Sequence, residues 1–341
     1  MTANRPTHRH SARGFSLVEL MISMTIGLLL LTALATIFAN SSRGQREAAL
    51  SAQQIENGRY AIDLVSEDVR HAGYWGYYGA TDNPPGAMPD PCALDAGSLI
   101  TAMPMYVQGY NAPVGTLPSC LPAANYLAGT DILVVRHAAT VVAGALAPNG
   151  MYMQSTPVAQ LVGTPATTFG LTVRDGTGAS IAAPLRAYET HIYFVSPCSV
   201  PAGATCTASD DGGKPIPTLK RLELAVDPND GVLKMITIPL VEGIENFQVD
   251  YGIDSDGDGA PDGGAYVADP GAIANWTRVV AVQVYVLARN TDKSTDYTDS
   301  KTYSLGTAGT ITPSASALQY RRHVYASLMR VKNPSERLET P

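Results

Sequence analysis

The apolar run at residues 13–39 constrains the fold of this chain more than any other stretch, because it is long enough to cross a bilayer. It contains no proline, and Glu19 is the only charged residue between Gly14 and Asn40. At about 1.5 Å per residue, a helix of this length spans the roughly 30 Å of hydrocarbon in a membrane. A buried carboxylate is costly unless a cation pairs with it, so Glu19 requires a partner that the run does not contain.

The residues before the run indicate how that partner arises. Residues 1–14 contain three arginines and no acid, and a basic segment of this kind stays in the cytoplasm while the following chain is exported. A secretory signal places its small residue after the apolar run, whereas here Gly14 precedes it. A cut after Gly14 would keep the helix on the mature protein and expose an amine on Phe15. On a neighbouring subunit, that amine would be the cation that pairs with Glu19.

This arrangement resembles the type IV pilin superfamily. The basic leader, Gly14, Phe15 and the following Leu17-Val18-Glu19-Leu20 form the pattern that prepilin peptidases recognise. The resemblance implies cleavage after Gly14, N-methylation of Phe15, and subunit assembly through Phe15 and Glu19. A plain signal anchor is the alternative, and it leaves Glu19 unexplained.

From residue 41 to about residue 71 the chain remains free of proline but becomes amphipathic. Apolar residues recur at spacings of three, four and seven, as on one face of a helix: Ala48, Ala52, Ile55, Ile62, Val65 and Val69. With the apolar run they predict one helix of roughly 57 residues, about 85 Å long, ended by Gly73. The stripe is interpreted as part of the core of a globular head, with a partner surface as the alternative.

An aromatic segment follows the predicted helix, and the residues around it indicate one family within the superfamily. Tyr74, Trp75, Tyr77 and Tyr78 are interpreted as a plug beneath the helix end, with an adhesive surface as the alternative. Residues 67–76 resemble the corresponding segment of PilW-type minor pilins, and residues 129–136 and 320–331 resemble strands of the same family. The block at residues 239–251 is shared with the J-type pseudopilins of type II secretion, which makes such a pseudopilin the runner-up.

The rest of the chain predicts an α+β fold, in which the long N-terminal helix packs on an antiparallel β-sheet head with long loop insertions at residues 80–127 and 290–317. Runs rich in β-branched and aromatic residues predict strands at 130–136, 190–195, 218–226, 232–238, 244–251, 278–287 and 320–331. The predicted organisation is a cleaved basic leader (1–14), a transmembrane or filament-core helix (15–40), its amphipathic half (41–72), a periplasmic β-rich head (73–333) and a flexible tail (334–341).

The four cysteines all follow the membrane run, in what would be an oxidising periplasm: Cys92, Cys120, Cys198 and Cys206. An even number in that compartment predicts two disulfides. Three pairings are possible. Cys92 with Cys120 and Cys198 with Cys206 are favoured because each pair closes a local loop rich in proline and glycine. Free buried thiols are the alternative.

An acidic turn at residues 254–262 predicts a calcium site. Asp254, Asp256 and Asp258 occupy positions 1, 3 and 5 of an EF-hand-like loop, Gly259 occupies position 6, and Asp262 occupies position 9. Position 12 is Ala265, so the bidentate glutamate is absent and Asp269 or another group would have to close the site. A solvated acidic turn without a metal is the alternative.

Enzymatic and nucleic-acid functions find little support in the sequence. His71, His137, His191 and His323 are scattered without metal-ligand spacing, and no nucleophile elbow, phosphate loop or HExxH motif occurs. The formal net charge is −7, and loss of the leader's three arginines leaves 20 basic against 30 acidic residues, or −10. This balance does not favour nucleic acid as a partner. The arginines near the C-terminus, Arg321, Arg322 and Arg330, are interpreted as charges that guard a solvent-facing strand edge.

The sequence therefore predicts a minor pilin of the inner membrane, with a cytoplasmic N-terminus and a periplasmic head, that later joins a pilus at the cell surface. The resemblance implies as partners the prepilin peptidase, membrane lipid before assembly, an inner-membrane assembly platform, the major pilin, other minor pilins and a tip adhesin. It implies roles in pilus biogenesis, twitching motility and adhesion. A calcium-dependent adhesive tip module is an alternative from another functional class.

Overall fold

The computed structural model describes residues 14, 16–79, 83–113, 115–294 and 297–338, which divide into two compact units at residues 50 and 51. The helices are α1 (Leu17–His71), α2 (Ala96–Ala102), α3 (Asp210–Gly213), α4 (Ile273–Trp276) and α5 (Lys332–Leu338). The strands are β1 (Val107–Tyr110), β2 (Ile132–Ala138), β3 (Tyr152–Thr156), β4 (Ala159–Gly163), β5 (Thr172–Arg174), β6 (Ser180–Ala182), β7 (Leu185–Ser196), β8 (Thr218–Val226), β9 (Leu233–Glu242), β10 (Ile244–Ile253), β11 (Val279–Arg289), β12 (Tyr303–Ser304), β13 (Thr310–Ile311) and β14 (Arg322–Arg330).

Helix α1 is 55 residues long, as the proline-free run predicts, and its first part is apolar on every side. Large apolar side chains from Leu17 to Phe38 are 53–75% exposed. By length and composition this helix could cross a membrane, and none of its most apolar stretch is buried by the rest of the described chain. A helix that is apolar all round must be covered by lipid or by other helices.

The second unit contains a seven-stranded antiparallel sheet organised around β7. This 12-residue strand pairs with β2 on one side and with β8 on the other along its C-terminal half, and its first residues pair with β3. Strand β1 continues the sheet beyond β2, β4 continues it beyond β3, and β9 continues it beyond β8. The pairing of β2 with β7 sets His137 opposite Glu189 and Val135 opposite His191.

A separate three-stranded antiparallel sheet has the order β10-β11-β14, so β11 is central, as its valine-rich sequence predicts. Alternate residues of β11, among them Val282, Val284 and Val286, enter the main core. The other face of this sheet is covered by the segment after β11, because Leu287 packs with Tyr303 and Leu305 in a smaller cluster. The described part of the insertion at residues 290–317 therefore covers a face of this sheet that would otherwise be exposed to solvent.

The C-terminal part of α1 packs in the core between strands of both sheets, which confirms the core interpretation for that part only. Ala61, Ile62, Val65 and Val69 are buried there. In contrast, the predicted stripe residues Ala48, Ala52 and Ile55 are exposed. In their neighbourhood Leu50 and Gln54 are buried, and the Gln54 amide donates to the Ala288 carbonyl at 2.9 Å.

Two glycines of this region have a steric role. Gly73 ends α1 with φ +70°, and its N–H donates to the Arg136 carbonyl at 3.0 Å. Within the helix, a Cβ atom on Gly58 would lie 2.1 Å from the ring of Tyr325 on β14. Glycine at position 58 therefore allows α1 and β14 to approach closely.

The aromatic segment after α1 is mainly a plug. Trp75 is 1% exposed and stacks on Tyr188, with ring centroids 5.2 Å apart. Tyr74 and Tyr78 pack against the same cluster, whereas Tyr77 is 55% exposed. The structure thus favours the plug interpretation over a continuous aromatic adhesive surface.

The loop insertions are more ordered than the sequence predicts. The described part of residues 80–127 (83–113 and 115–127) includes α2 and β1 and is closed by a disulfide from Cys92 to Cys120. A second disulfide joins Cys198 to Cys206. These are the two pairings that the sequence favours. The predicted flexible tail also differs, because helix α5 extends to Leu338 and Ser335 is buried within it.

The interpretation of the C-terminal arginines as edge charges is wrong for Arg322. Its guanidinium side chain is 0% exposed and forms ion pairs with Glu245 and with the equally buried Asp299, the latter at 3.0 Å. Arg321 instead lies over the Tyr297 ring, 4.3 Å from its centroid. Arg322 therefore fastens β14 to β10 and to the insertion after β11, rather than guarding an edge.

Candidate functional site

The predicted assembly residues lie at the start of α1. Glu19 is in the first helical turn and is exposed, so its carboxylate is accessible to a neighbouring molecule. Gly14 is also exposed, as a peptidase substrate must be. Phe15 and the leader up to residue 13 lie outside the described residues. The cleavage and methylation of Phe15 therefore stay predictions.

The acidic turn follows β10 and brings three of its four predicted ligands together. Carboxylate oxygens of Asp254, Asp256 and Asp262 lie within 4.8 Å of one another, but Asp258 is not part of this group. Asp258 instead accepts a hydrogen bond from the N–H of Ala260 at 2.8 Å. Hence the converging set is smaller than the one the EF-hand-like spacing predicts.

Backbone N–H groups already hold part of this turn. Asp254 is 1% exposed, and its two oxygens accept from Gly257 at 2.6 Å and Gly259 at 2.7 Å. The charge of Asp258 raises the pKa of Asp256, while hydrogen bonds from Ser255 lower the pKa of Asp262. Three oxygen donors are a fitting but incomplete set for a hard cation such as Ca²⁺, which takes six to eight oxygens.

A second cluster, not predicted from the sequence, lies where α1 meets β2 and β7. The Asp68 carboxylate on α1 lies 2.8 Å from Nε2 of His137 on β2, and 2.9 Å from Nδ1 of His191 on β7. Asp68 and His137 are buried and His191 is nearly so. The interpretation of these histidines as scattered is therefore wrong, because the fold brings two of them to one carboxylate.

The surroundings of this cluster are acidic. Glu189 on β7 lies 3.2 Å from Nδ1 of His137, on the side of the ring away from Asp68. Burial lowers the pKa of His137, but its hydrogen bond to Asp68 and the charges of Asp68 and Glu189 raise it by more, so the net direction is upward. The cluster therefore favours positive charge at this point.

A cavity of about 390 Å³ opens over the cluster and connects it to solvent. Asp68, His137 and Glu189 line it together with His71, whose ring centroid is 5.8 Å from that of His137. Arg221 also lines the cavity, but its guanidinium forms an ion pair with the Glu223 carboxylate at 2.7 Å. A small ion or ligand can therefore reach the cluster from outside.

Comparison with known families gives two matches. Residues 205–333 match the family described as Type IV Pilus-assembly protein W, and residues 9–35 match the Prokaryotic N-terminal methylation motif. The first match covers β8 to β14, and the second covers the end of the predicted leader and the first part of α1. No curated protein and no solved structure matches the chain. The first match confirms the resemblance to PilW-type pilins in the C-terminal part of the chain, and the second confirms the resemblance to N-methylated pilins at its N-terminal end.

Proposed function

We propose that this chain, a type IV pilus-related pilin of the PilW family, is assembled as a minor pilin at or near the tip of a pilus. The observation that carries the proposal is the uncovered apolar part of α1, whose large side chains are 53–75% exposed. Such a helix needs lipid before assembly and the helices of other subunits afterwards. Pilin-family domains are structural, and the proposed function is accordingly assembly rather than catalysis.

Assembly would proceed by extraction of the processed helix from the inner membrane into a bundle of pilin helices. The amine of Phe15 on one subunit would pair with Glu19 on the next, where the low dielectric of the bundle makes an unmatched charge costly. The platform would deliver the subunit to other minor pilins and the major pilin. The large head favours a tip position, where its bulk need not fit the lateral packing of a shaft, and a tip position supports roles in priming, adhesion and twitching.

The first test is the mass of the mature N-terminus. In cells that contain the prepilin peptidase, the protein is expected to begin at a methylated Phe15, because the apolar helix must stay attached. Mass spectrometry of the N-terminal peptide checks this, and a Gly14→Val variant should keep the leader. An intact Met1 in the wild-type protein, or a cut beyond residue 40, would exclude the proposed assembly.

A J-type minor pseudopilin of type II secretion is the second candidate within the superfamily. It would share the N-terminal helix, but the match of residues 205–333 to the type IV pilus-assembly family favours the pilus. A deletion strain distinguishes them: loss of surface pili with normal enzyme secretion supports the pilus, and the reverse result supports the secretion system.

The convergence of Asp254, Asp256 and Asp262 favours an additional role for calcium. We propose that Ca²⁺ binds these carboxylates, with a carbonyl oxygen or water completing the set, and stabilises the turn after β10. At a dissociation constant of about 10⁻⁴ M, as in extracellular modules, 10 mM Ca²⁺ would add about 2.7 kcal/mol to the free energy of unfolding.

Thermal unfolding of the full-length chain in detergent tests the calcium proposal. Its midpoint is expected to rise by about 5–10 °C between a chelator and 10 mM Ca²⁺. The Asp256→Asn variant should lose this rise, whereas Asp175→Asn, which changes an aspartate in a different exposed turn, should keep it. Equal midpoints of the wild type in the two buffers would show that the turn is held by its hydrogen bonds alone.

A further inference from the structure

We propose that Asp68, His137 and His191 form a binding site for one divalent transition-metal ion of the zinc class, which fastens the end of α1 to β2 and β7. The three residues come from three different elements of the same compact unit, and their ligand atoms lie within 4.8 Å of one another. This site is independent of the pilus function and of the acidic turn.

The distances suit coordination. Two atoms bound to one metal at about 2.0–2.1 Å lie about 2.9–3.4 Å apart for angles between 90° and 109°. The contacts from the Asp68 carboxylate to Nε2 of His137 and to Nδ1 of His191 are 2.8 Å and 2.9 Å. These two distances lie at or just below the lower end of that range, and the ligand atoms of all three residues lie within 4.8 Å of one another.

Counting protons gives a second, independent argument. Nδ1 of His137 faces two acceptors, the Ala138 carbonyl at 3.1 Å and the Glu189 carboxylate at 3.2 Å, so this nitrogen carries a proton. In a neutral ring, Nε2 is then an acceptor, yet it faces the Asp68 carboxylate, which is also an acceptor. An extra proton on Nε2, or a metal ion bound to both atoms, removes this mismatch.

The contacts around the ring have the form that metal sites use. A metal-bound histidine usually donates its other N–H to a carboxylate or a backbone carbonyl, which fixes the ring and strengthens the ligand. Glu189 and Ala138 stand in that position for His137. The cavity over the cluster leaves space for a water molecule as a fourth ligand.

The ligand set selects the class of metal. Two imidazole nitrogens and one carboxylate suit Zn²⁺ and its neighbours Co²⁺, Ni²⁺ and Cu²⁺, whereas Ca²⁺ and Mg²⁺ prefer oxygen alone. The buried Asp68 and the nearby Glu189 supply two negative charges. When both imidazoles are neutral, these two charges balance the charge of a divalent cation.

The experiment is a titration of the full-length chain in detergent, stripped of metal, with Co²⁺ or Zn²⁺ in the presence of excess Ca²⁺ to fill oxygen-only sites. His8 and His10 are replaced by glutamine in every sample, so that the leader contributes no imidazole. We expect one equivalent of Co²⁺ to bind, with the intense visible absorption of a four- or five-coordinate ion, and Zn²⁺ to displace it.

Variants separate the site from adventitious binding. His191→Gln should weaken Co²⁺ binding by at least about 100-fold, and Glu189→Gln by about 10- to 100-fold. His323→Gln, which changes an exposed histidine on β14, should bind as the wild type does. Circular dichroism of the metal-free variants checks that they fold.

Two outcomes would overturn the proposal. One is a wild-type chain that takes up no stoichiometric Co²⁺ or Zn²⁺, which would leave the cluster as a protonated hydrogen-bond network. The other is Co²⁺ binding with an unchanged spectrum in a folded His191→Gln variant. The wild-type titration decides the question even if a variant fails to fold.

Discussion

Replacing Glu19 with alanine is expected to leave the protein in the membrane but to remove it from assembled pili. The helix loses a charge that lipid disfavours, so insertion should improve if it changes at all. In the filament, however, the variant leaves the terminal amine of a neighbour without its partner in a low-dielectric bundle. Breaking a buried pair of this kind costs about 3–5 kcal/mol, which lowers incorporation by about two to four orders of magnitude.

The measurement is the ratio of this protein in sheared pili to that in membranes, determined by immunoblot. Two variants serve as controls. Glu19→Asp keeps the carboxylate and should retain part of the incorporation, and Glu56→Ala removes the same charge from an exposed position further along α1 and should have no effect. Wild-type incorporation of the Glu19→Ala protein would mean that the pairing does not drive assembly.

Replacing Arg322 with methionine is expected to destabilise the head strongly. Its guanidinium pairs with Asp299 at 3.0 Å and with Glu245, and the side chains of Arg322 and Asp299 are both 0% exposed. Removing the cation leaves Asp299 buried without its counter-charge, which costs about 3–5 kcal/mol. For a domain of this size the unfolding midpoint should fall by about 10 °C.

Thermal unfolding followed by circular dichroism measures this effect. Arg321→Met, one residue earlier, changes a half-buried arginine that lies over the Tyr297 ring and should cost clearly less than Arg322→Met. The double variant Arg322→Met/Asp299→Asn should regain part of the lost stability, because position 299 then carries no buried charge that lacks a counter-charge. A midpoint for Arg322→Met equal to that of Arg321→Met would contradict the role assigned to the buried pair.

Elements with a strong periodic signal could be predicted from the sequence. The absence of proline and the apolar composition gave helix α1, and runs of β-branched residues gave β8, β10 and β11 close to their observed bounds. These signals are local, because each depends on the spacing of residues within one element. The N-terminal pattern around Gly14 and Glu19 is local in the same sense.

The histidine cluster could not be predicted, because it depends on how separate elements pair. His137 and His191 lie on neighbouring strands, and only the register that sets Val135 opposite His191 makes them diagonal neighbours. Asp68 reaches them from α1, through packing that no spacing in the sequence reveals. One available signal was that Asp68 directly precedes Val69, a residue of the predicted apolar stripe.

Arg322 was misinterpreted for a related reason. On sequence alone, a basic residue at the start of the last strand is most simply placed in solvent. The structure buries it because the insertion after β11 folds back over the sheet and brings Asp299 to its guanidinium. That insertion has no periodic pattern, so its path was not predictable. The exposed positions of Ala48, Ala52 and Ile55 likewise show that an apolar stripe can extend beyond the core that it serves.

The close approach at Gly58 has a mechanical consequence. The Tyr325 ring occupies the space that a side chain at position 58 would need. The nearest residues on the same face of the helix are three or four positions away, and all of them carry a side chain: Gln54, Ile55, Ala61 and Ile62. Sliding α1 along the sheet would therefore bring a larger side chain towards the ring. A pull along the helix axis is therefore resisted by a steric stop as well as by apolar contact, and the load passes directly into β14.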